Sequence, residues 1–514
     1  MYKRNSKKPL FDRPSVLAIG IDAAESTLVR QMIEQNELPA LRSLLAAGTW
    51  LEVRSPSTIG SGAVWPTFLT GEEPAAHGIY SEWKWLPETM SLRRYEGHHL
   101  TPFWKAWAER GVSVGVFDVP FAPPVGITKG FEVCEWWAHD STAAGLRANP
   151  ERIHSLVTEA PEHPLSANRF FNSTPDSKSN LQELSAACSE GARLRGMLAR
   201  RLIDEAKPQV SLVVFPELHH AGHQLWHTVA SEHWIYNELG LNGDGSRRGV
   251  ESNGVSFLRD VYRAVDQQIG VLVGSVSSAT TVMVFALHGM RPALGFPAYL
   301  GPLLCERGFS LLTSLRSQSW SKRGLSLFAA TKRHAPVGLK KLYYQVTPIT
   351  ATYKLARPTM LPAYDWSKTR AFSLPTDQYG WIRINLIGRE SLGIVPVEAY
   401  ESLCAELEQM LLSLASEDGE LLVQNVSRTA ADVASARVNP LPDLVVHWRD
   451  AAFSSSLRLK GSKVQAQMVG KKSTGQHTTP GFCIYRGDGD WSGDGVVEAK
   501  DLSRLIAASA RVRA

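Results

Sequence analysis

The chain is poor in the features that would mark it as secreted, membrane-spanning or fibrous. Only five of its 514 residues are cysteine (Cys134, Cys188, Cys305, Cys404, Cys483), an odd number with no CxxC pair. That spacing argues against a disulfide framework and against a cysteine zinc knuckle. No apolar run approaches the ~20 residues that cross a bilayer. The basic start, MYKRNSKKPLFDRPSVLAIGID, lacks a long apolar stretch with a small-residue cleavage site, so a cytoplasmic location is expected. Internal repeats and low-complexity tracts are missing as well, and this excludes solenoids and collagen-like chains. Acidic residues are absent between Glu306 and Asp365, a stretch that carries ten Lys and Arg from Arg307 to Arg357. The whole chain has a net charge of only +5, so everything outside that stretch is net negative.

What is present is ordinary globular material, with 44% hydrophobic and 20% charged residues. Short β-branched apolar runs alternate with amphipathic stretches. Strands are expected at Val16–Ile21, Val112–Phe117, Val210–Phe215, Thr280–Phe285, Trp381–Leu386 and Leu444–His447. Helices are expected at Ser26–Asn36, Leu38–Ala47, Leu194–Glu205, Ser256–Val273 and Pro396–Leu414. This alternation predicts an α/β fold with three αβα layers and a mostly parallel central sheet. The expected organisation is a flexible basic tail (1–14), a discontinuous core (15–292 and 366–510) and a basic insert or lid (293–365). Such an insert is a solvated basic face, or else it attracts phosphate-bearing ligands or an anionic membrane surface through 307–357. Aromatic and basic residues do not interleave as nucleic-acid binding would require.

In parallel sheets ligands bind at the carboxyl ends of the strands, so the residues that follow each strand matter most. Asp22 follows the first strand; Glu217, His219 and His223 follow the third; His288 follows the fourth. In Phe215-Pro-Glu-Leu-His-His-Ala-Gly-His-Gln-Leu-Trp-His227, a helix would put His219 and His223 on one face, able to grip one cation. Histidines at that spacing also occur on solvated helix faces. His227 continues the stripe and His220 leaves it, and both read as supporting or structural residues. His477 sits in a polar loop before the apolar Phe482-Cys-Ile-Tyr485. Ser61, between Gly60 and Gly62 in a hydroxyl-rich loop, is a candidate nucleophile. Read alone, the loop favours an ordinary helix-cap serine. Trp83, Trp85, Trp136 and Trp137 are candidates for a stacking pocket or for core packing.

Taken in order, these motifs resemble the type I phosphodiesterase/nucleotide pyrophosphatase branch of the alkaline phosphatase superfamily. The resemblance runs from Ile19-Gly-Ile-Asp22 through Ser61…Trp65-Pro-Thr67-Phe-Leu-Thr70-Gly71…His77-Gly-Ile79, the His219/His223 cluster and His288-Gly-Met290. It continues in Phe372-Ser…Ile384-Asn385…Gly388-Arg389-Glu390…Gly393, Pro442-Asp-Leu-Val-Val446 and Gly475-Gln-His477…Gly481. It implies an alkaline phosphatase-like fold and a metal-dependent phosphoric ester hydrolase, with phosphodiesters as the expected substrates. Ser61 would attack phosphorus and form a phospho-enzyme. Asp22, Ser61 and His288 match the ligands of one divalent metal, and His219, His223 and His477 those of another. The expected metal is zinc, in one or two ions, with manganese as the alternative. The ligand would be a phosphorylated small molecule, a glycan or a lipid head group. The chain departs from the family in two places: Leu287 and His219 stand where relatives usually carry Asp. Glu217 is a candidate replacement carboxylate, and His220 and His227 are candidate metal or supporting residues. The expectation is that the all-histidine site is the firm one. The alternative is a degenerate relative that binds a phosphorylated ligand without turnover.

Overall fold

The computed structural model describes residues 15–95, 99–138, 145–166, 178–230, 256–293, 297–313, 360–376, 378–449, 456–467, 473–487 and 495–512. The basic tail and nearly all of the basic run, at 314–359, lie outside the described residues.

Among the described residues, nine strands form the main sheet. Its order from one edge is Val496–Glu498, Thr49–Arg54, Gly481–Arg486, Thr281–Ala286, Val16–Ile21, Val210–Phe215, Val114–Phe117, Gly130–Cys134 and Arg147–Asn149. The five strands from Thr281–Ala286 to Gly130–Cys134 run parallel, whereas Gly481–Arg486 and Arg147–Asn149 are antiparallel to their neighbours. Every residue of Val16–Ile21, Val210–Phe215 and Thr281–Ala286 is buried. Helices cover both faces, which is why these strands are apolar throughout and do not alternate. Each fully buried Val, Ile, Leu or Phe contributes about 1.5–3 kcal/mol. One face packs on the helices Ser26–Glu34, Lys178–Ala206 and Phe257–Ser275, and the other on Val64–Thr70 and Leu502–Ser509. This is the expected αβα architecture. No helix among the described residues is long and apolar enough to cross a membrane.

The fourth strand of the expected set is shifted by a single residue, and the first and third match end to end. The runs near Trp381 and Leu444 depart from expectation. They form no part of the parallel sheet. Gly380–Ile384 and Leu444–Trp448 belong to a separate antiparallel sheet of order Ala371–Leu374, Gly380–Ile384, Leu444–Trp448, Val423–Arg428. This sheet has its own apolar core, closed by the helices Tyr400–Leu412 and Pro297–Glu306. Tyr299, Leu300, Leu303 and Leu304 are buried in that core, so the described start of the expected insert is an integral part of the second layer. Apolar runs report burial without naming the sheet a strand joins, which accounts for the difference.

The two sheets meet where Trp381 donates its indole N–H to the Ile59 carbonyl (2.7 Å). The hairpin Trp83–Leu86/Ser91–Arg94 closes the same corner, with Trp85 against Phe372 and Trp366.

Candidate metal centre

Asp22 ends the first strand, deep in the molecule. A Cβ on Gly20 would sit 3.0 Å from the Trp65 ring, so glycine there admits the indole against the strand. Trp65 then reaches Asp22, donating its ring N–H to Oδ1 at 2.9 Å. His219 and His223 lie on the helix Glu217–Leu225, which starts two residues after Val210–Phe215 ends. Four residues apart on a helix, the two rings share a face. His288 follows Thr281–Ala286 directly. His477 sits on Gly475–Thr478, which pairs with Gly289–Pro292 in a small antiparallel ladder. This ladder passes close to the histidine helix: a Cβ on Gly475 would collide with the Gly222 carbonyl. Residues from widely separated parts of the chain therefore converge at the carboxyl ends of the strands.

The geometry is tight. His219 Nε2 is 3.1 Å from His223 Nε2 and 3.0 Å from His477 Nε2. His219 Nδ1 is 2.7 Å from Asp22 Oδ2. His223 Nδ1 is 2.9 Å from the Gly475 carbonyl, and the Ser473 hydroxyl is beside it at 3.2 Å. A carboxylate and a carbonyl only accept. Both rings therefore carry their proton on Nδ1, and both Nε2 lone pairs face each other. Two lone pairs aimed at one point about 3 Å apart repel unless a cation lies between them. Zinc with nitrogen ligands at about 2.0–2.1 Å would set its donors about 3.3 Å apart, close to the spacing seen. The three imidazoles thus fit a divalent metal. A second group, Asp22, His219 and His288, also has its donor atoms within 4.8 Å of one another, with His288 Nε2 3.9 Å from Asp22 Oδ1.

Ser61 opens the short turn Ser61–Ala63 that leads into the helix Val64–Thr70, and it is partly exposed. It lines a cavity of about 340 Å³ together with His219, His223, His288 and His477. The opposite wall comes from Tyr80, Trp83, Trp381, Pro375 and Thr376. Asp22, only 1% exposed, lies behind His219 and off the cavity wall. Of the sequence candidates, Ser61, His219, His223, His288 and His477 come together on the cavity.

Three candidates do not join them. Glu217 is fully buried and faces away from the donors. Its Oε1 takes the Arg195 Nε–H at 2.7 Å, and His163 Nε2 is 3.6 Å off. Burial alone would raise its pKa, but Arg195 and then His163 outweigh burial and hold it below the usual carboxylate range. An anion spent on a buried guanidinium cannot replace a missing metal ligand. His220 stands edge-on to Trp137 at 5.6 Å. His227 pairs with the Thr474 hydroxyl at 3.1 Å, and the Thr474 amide donates to the His223 carbonyl at 2.7 Å. His227 therefore supports the stretch that anchors His223 without being a ligand. Among the tryptophans, Trp83 lines the cavity. Trp85, Trp136 and Trp137 are core. The sequence reading missed Tyr80, Trp65 and Trp381 as site residues, since none stands at a strand end or in a recognisable spacing.

His77, in the motif after Ser61, is structural. The Ile79 amide donates to its Nδ1 at 3.1 Å, so its Nε2–H donates to the Thr67 hydroxyl at 3.0 Å. Burial, then repulsion from His99, pulls its pKa down to about 4. A neutral ring thus ties the turn to the helix that carries the Ser61 loop.

Residues 16–332 match the family described as type I phosphodiesterase / nucleotide pyrophosphatase. No curated protein matches the chain. Among solved structures, phosphonoacetate hydrolase from Sinorhizobium meliloti 1021 is similar in two complexes. With phosphonoacetate the identity is 13% and the TM-score 0.51, and with phosphonoformate 12% and 0.50; both cover 98% of this chain and 97% of that one. Murine ectonucleotide pyrophosphatase / phosphodiesterase 5, in an inactive form in complex with AMP, is similar at 11% identity and a TM-score of 0.44, covering 98% of this chain and 96% of that one. At these identities the hydrolase structures establish a shared fold, which is alkaline phosphatase-like.

Proposed function

Because the chain belongs to the type I phosphodiesterase/nucleotide pyrophosphatase family, a group of phosphoester hydrolases, we propose that it is a zinc-dependent phosphodiesterase with Ser61 as nucleophile. The observation that carries this reading is the convergence of three imidazoles, with His223 and His477 Nε2 at 3.1 and 3.0 Å from His219 Nε2, on the same cavity as Ser61.

A divalent cation, when bound, supplies Lewis acidity, easing loss of the serine proton and offsetting the charge that builds on phosphate oxygens. His219, His223 and His477 would hold it. His288 lines the same cavity as Ser61. Ser61 Oγ attacks phosphorus as the bond to one ester oxygen breaks. That oxygen leaves as an alcohol once protonated, and water then splits the Ser61 phosphoester to return the hydroxyl. Among the described residues Asp22 is the one carboxylate in the two donor groups, so the occupied metal centre is more positive than one with three carboxylates and draws anionic diesters in more strongly. The aromatic wall of Tyr80, Trp83 and Trp381 shields the reacting centre from bulk water and offers flat apolar surface to one ester substituent.

The test is turnover of bis-p-nitrophenyl phosphate and p-nitrophenyl phosphate by the zinc- and manganese-loaded protein. The diester should be the better substrate. Ser61→Ala should lower turnover by about 10³-fold or more while keeping bound metal. Metal-loaded protein inert toward both esters would leave only ligand binding without turnover, the outcome that the loss of an acidic residue at Leu287 would favour.

A further inference from the structure

The second group of donors, Asp22, His219 and His288, suggests a second cation, yet its geometry has a different use. A second ion on Asp22, Ser61 and His288 would have to share an Asp22 oxygen that already accepts a hydrogen bond, and one on Asp22, His219 and His288 would set Asp22 Oδ2 against His219 Nδ1. Those two atoms face each other at 2.7 Å. If His219 Nδ1 gave up its proton to bind a metal, it would press a lone pair against a carboxylate at that distance. The pair is stable only when Nδ1–H donates to Oδ2. The other oxygen, Oδ1, accepts the Trp65 indole N–H at 2.9 Å. Both hydrogen bonds are buried, and the carboxylate is 1% exposed. The side chain at position 287 that follows the strand next to it is an apolar, buried leucine.

From this we infer that Asp22 is a positioning residue for the metal centre and not a ligand, and that the chain holds one divalent cation, on His219, His223 and His477. Trp65 fixes Asp22; Asp22 fixes the tautomer and ring angle of His219; and His219 Nε2 is left to bind. The Gly475 carbonyl does the same for His223 through Nδ1. A carboxylate behind a ligating imidazole makes the ring more basic and orients it, and removing such a partner costs about 10–100-fold in metal affinity. A single anion shared with a ring costs little repulsion. Among the described residues the two donor groups contain one carboxylate, Asp22, so two cations a few ångström apart there would have to overcome much of their own repulsion.

The inference rests on the metal-dependent reading above, and metal counting separates the two. Native mass spectrometry of the full chain loaded with zinc and then dialysed should show one ion per chain. Chelator competition should give Asp22→Ala a 10–100-fold weaker affinity, still at one ion. Asp22→Asn, which keeps an oxygen able to accept from Nδ1–H and nearly the native shape, should fall between them. It also keeps the test informative if the alanine variant does not fold. In the zinc-loaded protein a downfield exchangeable proton of His219 Nδ1 should appear and be lost in Asp22→Ala. A purely structural role for Asp22 would leave that proton and the affinity unchanged, contradicting the inference. Two ions in the wild type, one of them lost in Asp22→Ala with the other bound as tightly as before, would overturn it while leaving the metal-dependent reading intact. No bound zinc at all would overturn both.

Discussion

The helix Glu217–Leu225 has two buried polar sides. On the cavity side, the Nε2 atoms of His223 and His477 both lie within 3.1 Å of His219 Nε2. On the far side, Glu217 binds Arg195 at 2.7 Å, and Arg195 also binds Asp118 at 2.9 Å and the Trp137 carbonyl at 3.0 Å. Asp118 further accepts the amides of Trp136 and Trp137. Arg195 is wholly buried. Burial would lower its pKa, and the two carboxylates raise it beyond its usual value, so it stays charged. On this far side Arg195 has both of its carboxylate partners within the protein. On the proposed reading, the cavity side is completed by a cation. Glu217 and His219 are two positions apart and are both common metal-ligating types, yet only one of them is placed to bind a metal.

Paired substitutions should break this comparison most sharply. His223→Ala should lose its zinc entirely and all metal-dependent turnover with it, while the apo protein remains folded. Glu217→Ala should do the reverse, leaving Arg195 short of a partner and costing about 3–5 kcal/mol of stability in denaturant unfolding, with zinc retained by the folded fraction. Zinc loss in Glu217→Ala without loss of stability would erase the distinction between the two sides.

A milder effect is expected from His77, which belongs to neither side but braces the Ser61 loop. Its folded pKa is about 4, against 6.5 unperturbed, so the unfolded chain binds the extra proton between those values. Stability from this residue is full above pH 6.5 and is lost as pH falls toward 4. His77→Gln should flatten that acid limb in thermal-unfolding profiles. An unchanged slope would mean that the acid limb comes from other groups.

Much of this arrangement could be read from the chain. Val16–Ile21 and, but for Ser211, Val210–Phe215 are apolar because both faces of the parallel sheet are covered, and their boundaries follow from composition. Thr49–Arg54 was not legible, since Thr, Glu and Arg interrupt it near the sheet edge, where only Leu51 and Val53 are buried. The second sheet was hidden for another reason: Gly380–Ile384 is as buried as any strand of the first. At the centre, His219, His223, His288 and His477 were recognisable because they follow strands or stand in a family-like motif. The contact between Asp22 and His219 was not, because spacing cannot say whether a carboxylate lies in front of an imidazole or behind it. Glu217 failed as a candidate because its partner, Arg195, lies on another helix, 22 residues earlier.

The most direct measurement is anomalous diffraction at the zinc edge from crystals of the zinc-loaded protein. The account predicts one strong peak about 2.0–2.1 Å from Nε2 of each of His219, His223 and His477. Difference maps with no peak among those three nitrogens, or with zinc bound elsewhere in the molecule, would contradict it.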